Sequence, residues 1–99
     1  MKYLNDIKRL LEEGQSKNQT NTIVNYVGDD PLKMSALMSL FMDTQWHWRY
    51  NQWAAWPLGY IGRKNPDLVQ PYLKKMLELM EVLETLSKIY KFDYYNLYL

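Results

Sequence analysis

Tyr26-Val27-Gly28-Asp29-Asp30-Pro31 returns later in the chain as Tyr60-Ile61-Gly62-Arg63-Lys64-Asn65-Pro66. From Tyr26 to Tyr60 and from Gly28 to Gly62 the step is 34 residues, and from Pro31 to Pro66 it is 35. Each copy closes one apolar stretch and opens another, so the unit reads as helix, tight corner, helix. Glycine can take the left-handed backbone that follows a helix end. Asp30 or Asn65 before a proline supplies an N-cap, with the proline in a first turn where its missing donor costs nothing. A period in this range marks stacked helical repeats, whose units cannot bury their apolar faces alone. Such stacks present surfaces to partners more often than they build reaction centres.

Working outward from the corners, the spacing of Tyr3, Leu4, Ile7, Leu10 and Leu11 predicts a first helix over 2–13, ended by Gly14. Ser16 with Gln19 reads as a capping box for a second helix, with Ile23, Val24 and Val27 on its apolar side. The third helix opens at Asp30-Pro31 and carries a stripe of Leu32, Ala36, Leu37, Leu40 and Phe41. Asp43-Thr44 is the next corner. A fifth helix starts at Asn65-Pro66-Asp67, with Leu68, Val69, Tyr72, Leu73, Met76, Leu77 and Met80 as its stripe. Beyond it, Val82, Leu83, Leu86 and Ile89 either prolong that helix or begin a sixth. The tail, 90–99, is aromatic to its last residue where chain ends are ordinarily polar.

The fourth helix, expected over roughly 45–61, is the most informative. At about 100° per residue, Tyr50, Ala54, Leu58 and Ile61 share one face. Trp46, Trp53, Trp56 and Tyr60 form a neighbouring stripe, while Arg49, Gln52 and Arg63 take the other side with Trp48. Apolar cover over more than half the circumference predicts a helix packed against two neighbours, the inner position of an array.

Composition narrows the function. Ninety-nine residues suggest one domain spanning 1–99, with 47% hydrophobic residues arguing for a folded core. A net charge of +1 with both signs interspersed argues against a dedicated nucleic-acid or membrane-surface binder. The absence of cysteine excludes disulfides, a thiol nucleophile and thiolate metal sites. No apolar run resembles a signal peptide or reaches the ~20 residues of a membrane span, so a cytoplasmic protein is expected. The unusual content is aromatic: four Trp, nine Tyr and two Phe.

Ala54-Ala55-Trp56-Pro57-Leu58-Gly59-Tyr60-Ile61-Gly62, followed by Asn65-Pro66-Asp67-Leu68-Val69-Gln70-Pro71-Tyr72-Leu73, resembles the HEAT repeat family of α-solenoids, relatives of the armadillo type. The match reads as the second helix of one unit running into the first helix of the next. It is clearest over 46–80, weaker over 16–42, and fades after Met80. Paired alanines allow close helix approach, and Pro71 stands where HEAT first helices often kink. Tyr50 and Asn51 occupy the family's usual valine and arginine positions, so the stacking arginine is missing. Pro57 replaces a common alanine and removes the hydrogen bond to the Trp53 carbonyl. The resemblance implies an all-α fold, a HEAT-like right-handed α-α superhelix of five or six helices.

The stripe Trp46, Trp53, Trp56 and Tyr60, with Arg49 beside it, is the candidate partner-binding site. Aromatic anchors flanked by arginine are what binding hot spots use. The same spacing also suits side chains that fill the gap between repeats, which is the commoner use. Trp48, on the polar side, is the better contact candidate. His47, the only histidine, has no companions with ligand spacing, and Glu12-Glu13 and Glu78, Glu81 and Glu84 read as solvated faces. Arg63-Lys64 and Lys74-Lys75 are short for a phosphate-backbone surface, and Gly14, Gly28, Gly59 and Gly62 read as corners and a close-packing point rather than a phosphate loop. No catalytic residue, cofactor or metal is expected. The tail could cap the array, pair with a second copy or simply end a shortened solenoid, and homo-oligomerisation is the reading preferred here. The expected function is a non-enzymatic protein-interaction or scaffold module. The alternative is a HEAT-like nucleic-acid-binding or DNA-repair-related protein, which would need a basic groove and a carboxylate among the aromatics.

Overall fold

A computed structural model describes residues 2–43 and 45–78. The described residues are helical with no strand. They form α1 (Leu4–Glu12), α2 (Lys17–Val27), α3 (Pro31–Met42), α4 (Trp48–Lys64) and a short α5 (Pro66–Val69), then a 3-10 turn (Gln70–Tyr72) and a further helical run over 73–78. The tail at 90–99, the segment around Val82 to Ile89 and the self-association expected of the tail all lie outside the described residues.

Local chemistry explains the boundaries. Ser16 Oγ accepts from the Gln19 backbone N–H at 3.1 Å, as a cap should. The reciprocal half of the expected capping box is absent. Gln19 Nε2 instead donates to the Leu10 carbonyl at 2.7 Å, satisfying an orphan acceptor near the end of α1 and tying α2 to it. Gly28 ends α2 at φ 54° and ψ −125°, a backbone that L side chains rarely adopt. Asp30 Oδ1 then caps α3 by accepting from the Leu32 N–H at 2.9 Å.

The second corner is built otherwise. Gly62 stays inside α4, which runs on to Lys64. Asn65 terminates it at φ −144°, ψ 77° and makes no side-chain cap bond, so the cap expected by analogy with Asp30 does not form. The residue before Pro66 is in any case disfavoured in helical conformation. At its other end α4 begins at Trp48 rather than near Gln45. Asp43 draws in both the Gln45 N–H (3.0 Å) and its Nε2 (2.6 Å), holding Gln45 in a turn, and His47 Nδ1 caps by accepting from the Arg49 N–H at 3.2 Å. Pro71 explains the short α5: without an N–H it cannot donate into an α-helical ladder, and a 3-10 turn takes over.

The helices pack in chain order. α1 lies on α2 and α3, while α4 lies most extensively on α3 and also on α2, α5 and α1. Ile7, Leu11, Ile23, Val27, Met34, Leu37, Met38, Leu40, Ala54, Leu58, Ile61 and Val69 are buried in one core. α4 packs against several neighbours, as its broad apolar cover led us to expect, and α3 is still more fully enclosed. Six of its residues are buried, Met34 and Met38 among them. Leu32, expected in that stripe, is 60% exposed because it sits in the first turn, ahead of the packed region. Leu73 and Leu77 are likewise exposed.

Candidate functional site

The expected aromatic stripe divides into two groups, and Trp48, expected on the polar side, joins the exposed one. Trp46 precedes α4 and, like Trp53, is partly buried against the core. Trp48, Trp56 and Tyr60 are 54%, 49% and 40% exposed, and Arg49 is exposed beside them. Helix geometry accounts for the division. At about 100° per residue, Trp48, Arg49, Gln52, Trp56, Tyr60 and Arg63 fall within an arc of about 120°. Tyr50, Ala54, Leu58 and Ile61 lie on the opposite side, with Trp53 at the border.

The inward group is locked by partners from α1 and α3. Lys8 Nζ lies 5.1 Å from the Trp46 ring centre and 5.2 Å from that of Tyr50, one cation serving two aromatic faces. The Tyr50 hydroxyl donates to the Glu12 carboxylate, and its ring meets Trp53 edge-on at 5.6 Å. That hydrogen bond to Glu12, followed by burial and the carboxylate's charge, raises the Tyr50 pKa above the usual phenol value. Trp46 Nε1 reaches Ser39 Oγ at 3.4 Å. Asn51, at the position where the resemblance implies arginine, donates through Nδ2 to the Leu40 carbonyl (2.7 Å) and the Asp43 carbonyl (3.2 Å). It thereby ties α4 to the last turn of α3. Trp46 and Trp53 therefore hold the helices together.

The outward group carries stacked cations instead. The Arg49 guanidinium lies 5.6 Å from the Trp48 ring centre, and that of Arg63 lies 4.8 Å from Tyr60. The exposed His47 ring tilts against Trp48 at 5.5 Å. α4 contains no Asp or Glu, while Arg49, Arg63 and Lys64 make it basic. Between α4 and the α1–α2 corner lies a cavity of about 200 Å³, walled by Leu11, Gly14, Thr20, Ile23, Trp53 and Trp56.

Lys8 escaped the sequence reading, and Glu12, read as part of a solvated face, accepts from Tyr50. They are one helical turn apart on α1, but no local pattern announces that Lys8 meets Trp46 and Tyr50, or that Glu12 meets Tyr50, 38 or more positions away. Gly59, read as a close-packing point, has open space around it, whereas Gly62 faces Val69 Cγ2 at 3.5 Å from an added Cβ. Among the described residues no three His, Cys, Asp or Glu gather where a metal ion could be held. No described helix is long and apolar enough to cross a membrane. No protein-family model matches the chain, and neither does a curated protein or a solved structure.

Proposed function

We propose that the chain is a non-enzymatic interaction module, a short right-handed HEAT-like stack that offers the outer face of α4 to a protein partner. The observation that carries this reading is the exposure of Trp48, Trp56 and Tyr60 on one arc of one helix, at 54%, 49% and 40%. Large aromatics are enriched at the centres of interfaces because burying them there removes much apolar area from water. Arginines stacked on two of the three rings add directional donors at the rim. The packing order supports the stack: α1, α3 and α5 form one succession of contacts, α2 and α4 a second, and sequential helices join the two.

The test is a comparison of proteins retained by the immobilised chain and by a Trp48→Ala/Trp56→Ala/Tyr60→Ala variant. The variant is expected to keep its helical circular dichroism and lose the retained partners. Equal retention by both would refute the assignment.

A further inference from the structure

We propose that the outer face of α4 is selective for an acidic peptide segment that places one apolar side chain in the cavity beside Trp56. The inference rests on the interaction reading above and adds the chemistry of the partner.

Charge gives the first argument. Along α4 every ionisable side chain that can carry charge at neutral pH is basic, and no carboxylate interrupts the arc from Trp48 to Arg63. On α1, Glu12 lines a pocket together with Arg49 and keeps its charge while accepting from the Tyr50 hydroxyl, so it is the acid that a bound segment must compete with at that end. Arg49 and Arg63 are 14 residues apart, about 21 Å along the helix, and fall within the same arc. Arg63 Nε donates to the Gly59 carbonyl at 3.4 Å, and the other N–H groups of a guanidinium laid over a ring can still take a carboxylate side-on. The face therefore offers a cation near each end of an aromatic strip, and a segment bearing carboxylates at both its ends is its complement.

The cavity gives the second argument. At about 200 Å³ it falls below the ~300–1,000 Å³ of sites that enclose small molecules. It has room for a single side chain of a bound segment. Leu11, Ile23, Trp53 and Pro57 give it an apolar wall beside the polar Gln15, Thr20 and Gln52, and Trp56 belongs both to its lining and to the exposed strip. Two arginines are few for a nucleic acid, whose binders neutralise roughly 6–10 phosphates.

The test titrates the intact chain with three synthetic peptides that share one apolar pattern around a central Phe and carry Glu, Gln or Lys at the polar positions. Isothermal titration calorimetry and tryptophan emission give the affinities. The Glu peptide is expected to bind roughly tenfold tighter than the Gln peptide, and the Lys peptide weakest. Arg49→Glu/Arg63→Glu is expected to invert that order, and Arg49→Gln/Arg63→Gln to level it. Both variants change exposed side chains only, and circular dichroism checks that they fold. Replacing the central Phe by Ala in the Glu peptide should cost at least tenfold.

Equal affinity for the Glu and Gln peptides would overturn the acidic selectivity and leave the interaction reading standing. So would failure of all three peptides, provided that the Trp48/Trp56/Tyr60 variant still loses its retained partners. Tighter binding of a single-stranded oligonucleotide, or of phosphatidylserine vesicles, than of the Glu peptide would overturn the proposal in favour of that ligand.

Discussion

The two corners of the chain share a sequence signature and differ in almost everything physical. At the first, Gly28 leaves the helix with positive φ and Asp30 caps the next one; at the second, Gly62 remains helical and Asn65 caps nothing. Each tyrosine lies under a cation, Lys33 at 4.3 Å from Tyr26 and Arg63 at 4.8 Å from Tyr60. Tyr26 nevertheless turns inward, donating to Asp6 Oδ2 at 3.0 Å and meeting Tyr3 edge-on, while Tyr60 faces solvent. The first corner is consumed by folding. The second is left available, and a surface for a partner can be built only from side chains the fold does not need.

Substitutions can break or sharpen this contrast. The largest effect is expected inside the second corner itself. Ile61→Ala, at a position 2% exposed, should cost ~2–5 kcal/mol in urea unfolding, while the adjacent Tyr60→Ala should stay within ~0.5 kcal/mol. Similar losses at both positions would place Tyr60 in the core. Next come the glycines. Gly28→Ala should cost ~1–3 kcal/mol because its backbone is strained for any L side chain. Gly62→Ala should be neutral or stabilising by up to ~1 kcal/mol, since its helical backbone gains propensity and the added methyl meets Val69 at ordinary contact distance. A costly Gly62→Ala would make the corners alike.

The caps follow at smaller size. Asp30→Ala should lose ~1 kcal/mol with its hydrogen bond to Leu32, and Asn65→Ala almost nothing. The smallest effect is alkaline. Burial, then the hydrogen bond to Asp6 and that group's charge, raise the Tyr26 pKa, and Tyr50 is raised by its bond to Glu12. The folded chain therefore holds these protons above pH ~10, where the unfolded chain releases them. Their contribution is complete below that pH and is lost as pH rises through the raised values. Tyr26→Phe should flatten this alkaline decline in stability, as followed by urea unfolding at increasing pH.

What the sequence revealed follows from the range of the interactions involved. The Ser16 and Asp30 caps, Gly28 and the apolar side of α4 could be read locally, because each depends on residues within about one helical turn. The second cap could not be inferred from its copy, since Pro66 ends α4 whether or not Asn65 bonds. Met34 and Met38 were missed because α3 is enclosed from several directions and shows no single stripe. The aromatic stripe was legible as a group but not in its division. Trp46 left it when Asp43 and His47 delayed the start of α4, and Trp53 was drawn inward by Tyr50, which α1 holds through Lys8 and Glu12. Those partners are distant in sequence.

The corner contrast becomes, along α4, a contrast between tryptophans that close the core and tryptophans that face outward. Four variants, each keeping one tryptophan and carrying phenylalanine at the other three, separate them by iodide quenching of fluorescence. Trp48 and Trp56 are expected to be quenched several times more strongly than Trp46 and Trp53. Equal quenching of all four, in variants that retain their helical signal, would contradict a two-faced α4 and remove the surface on which the proposed function depends.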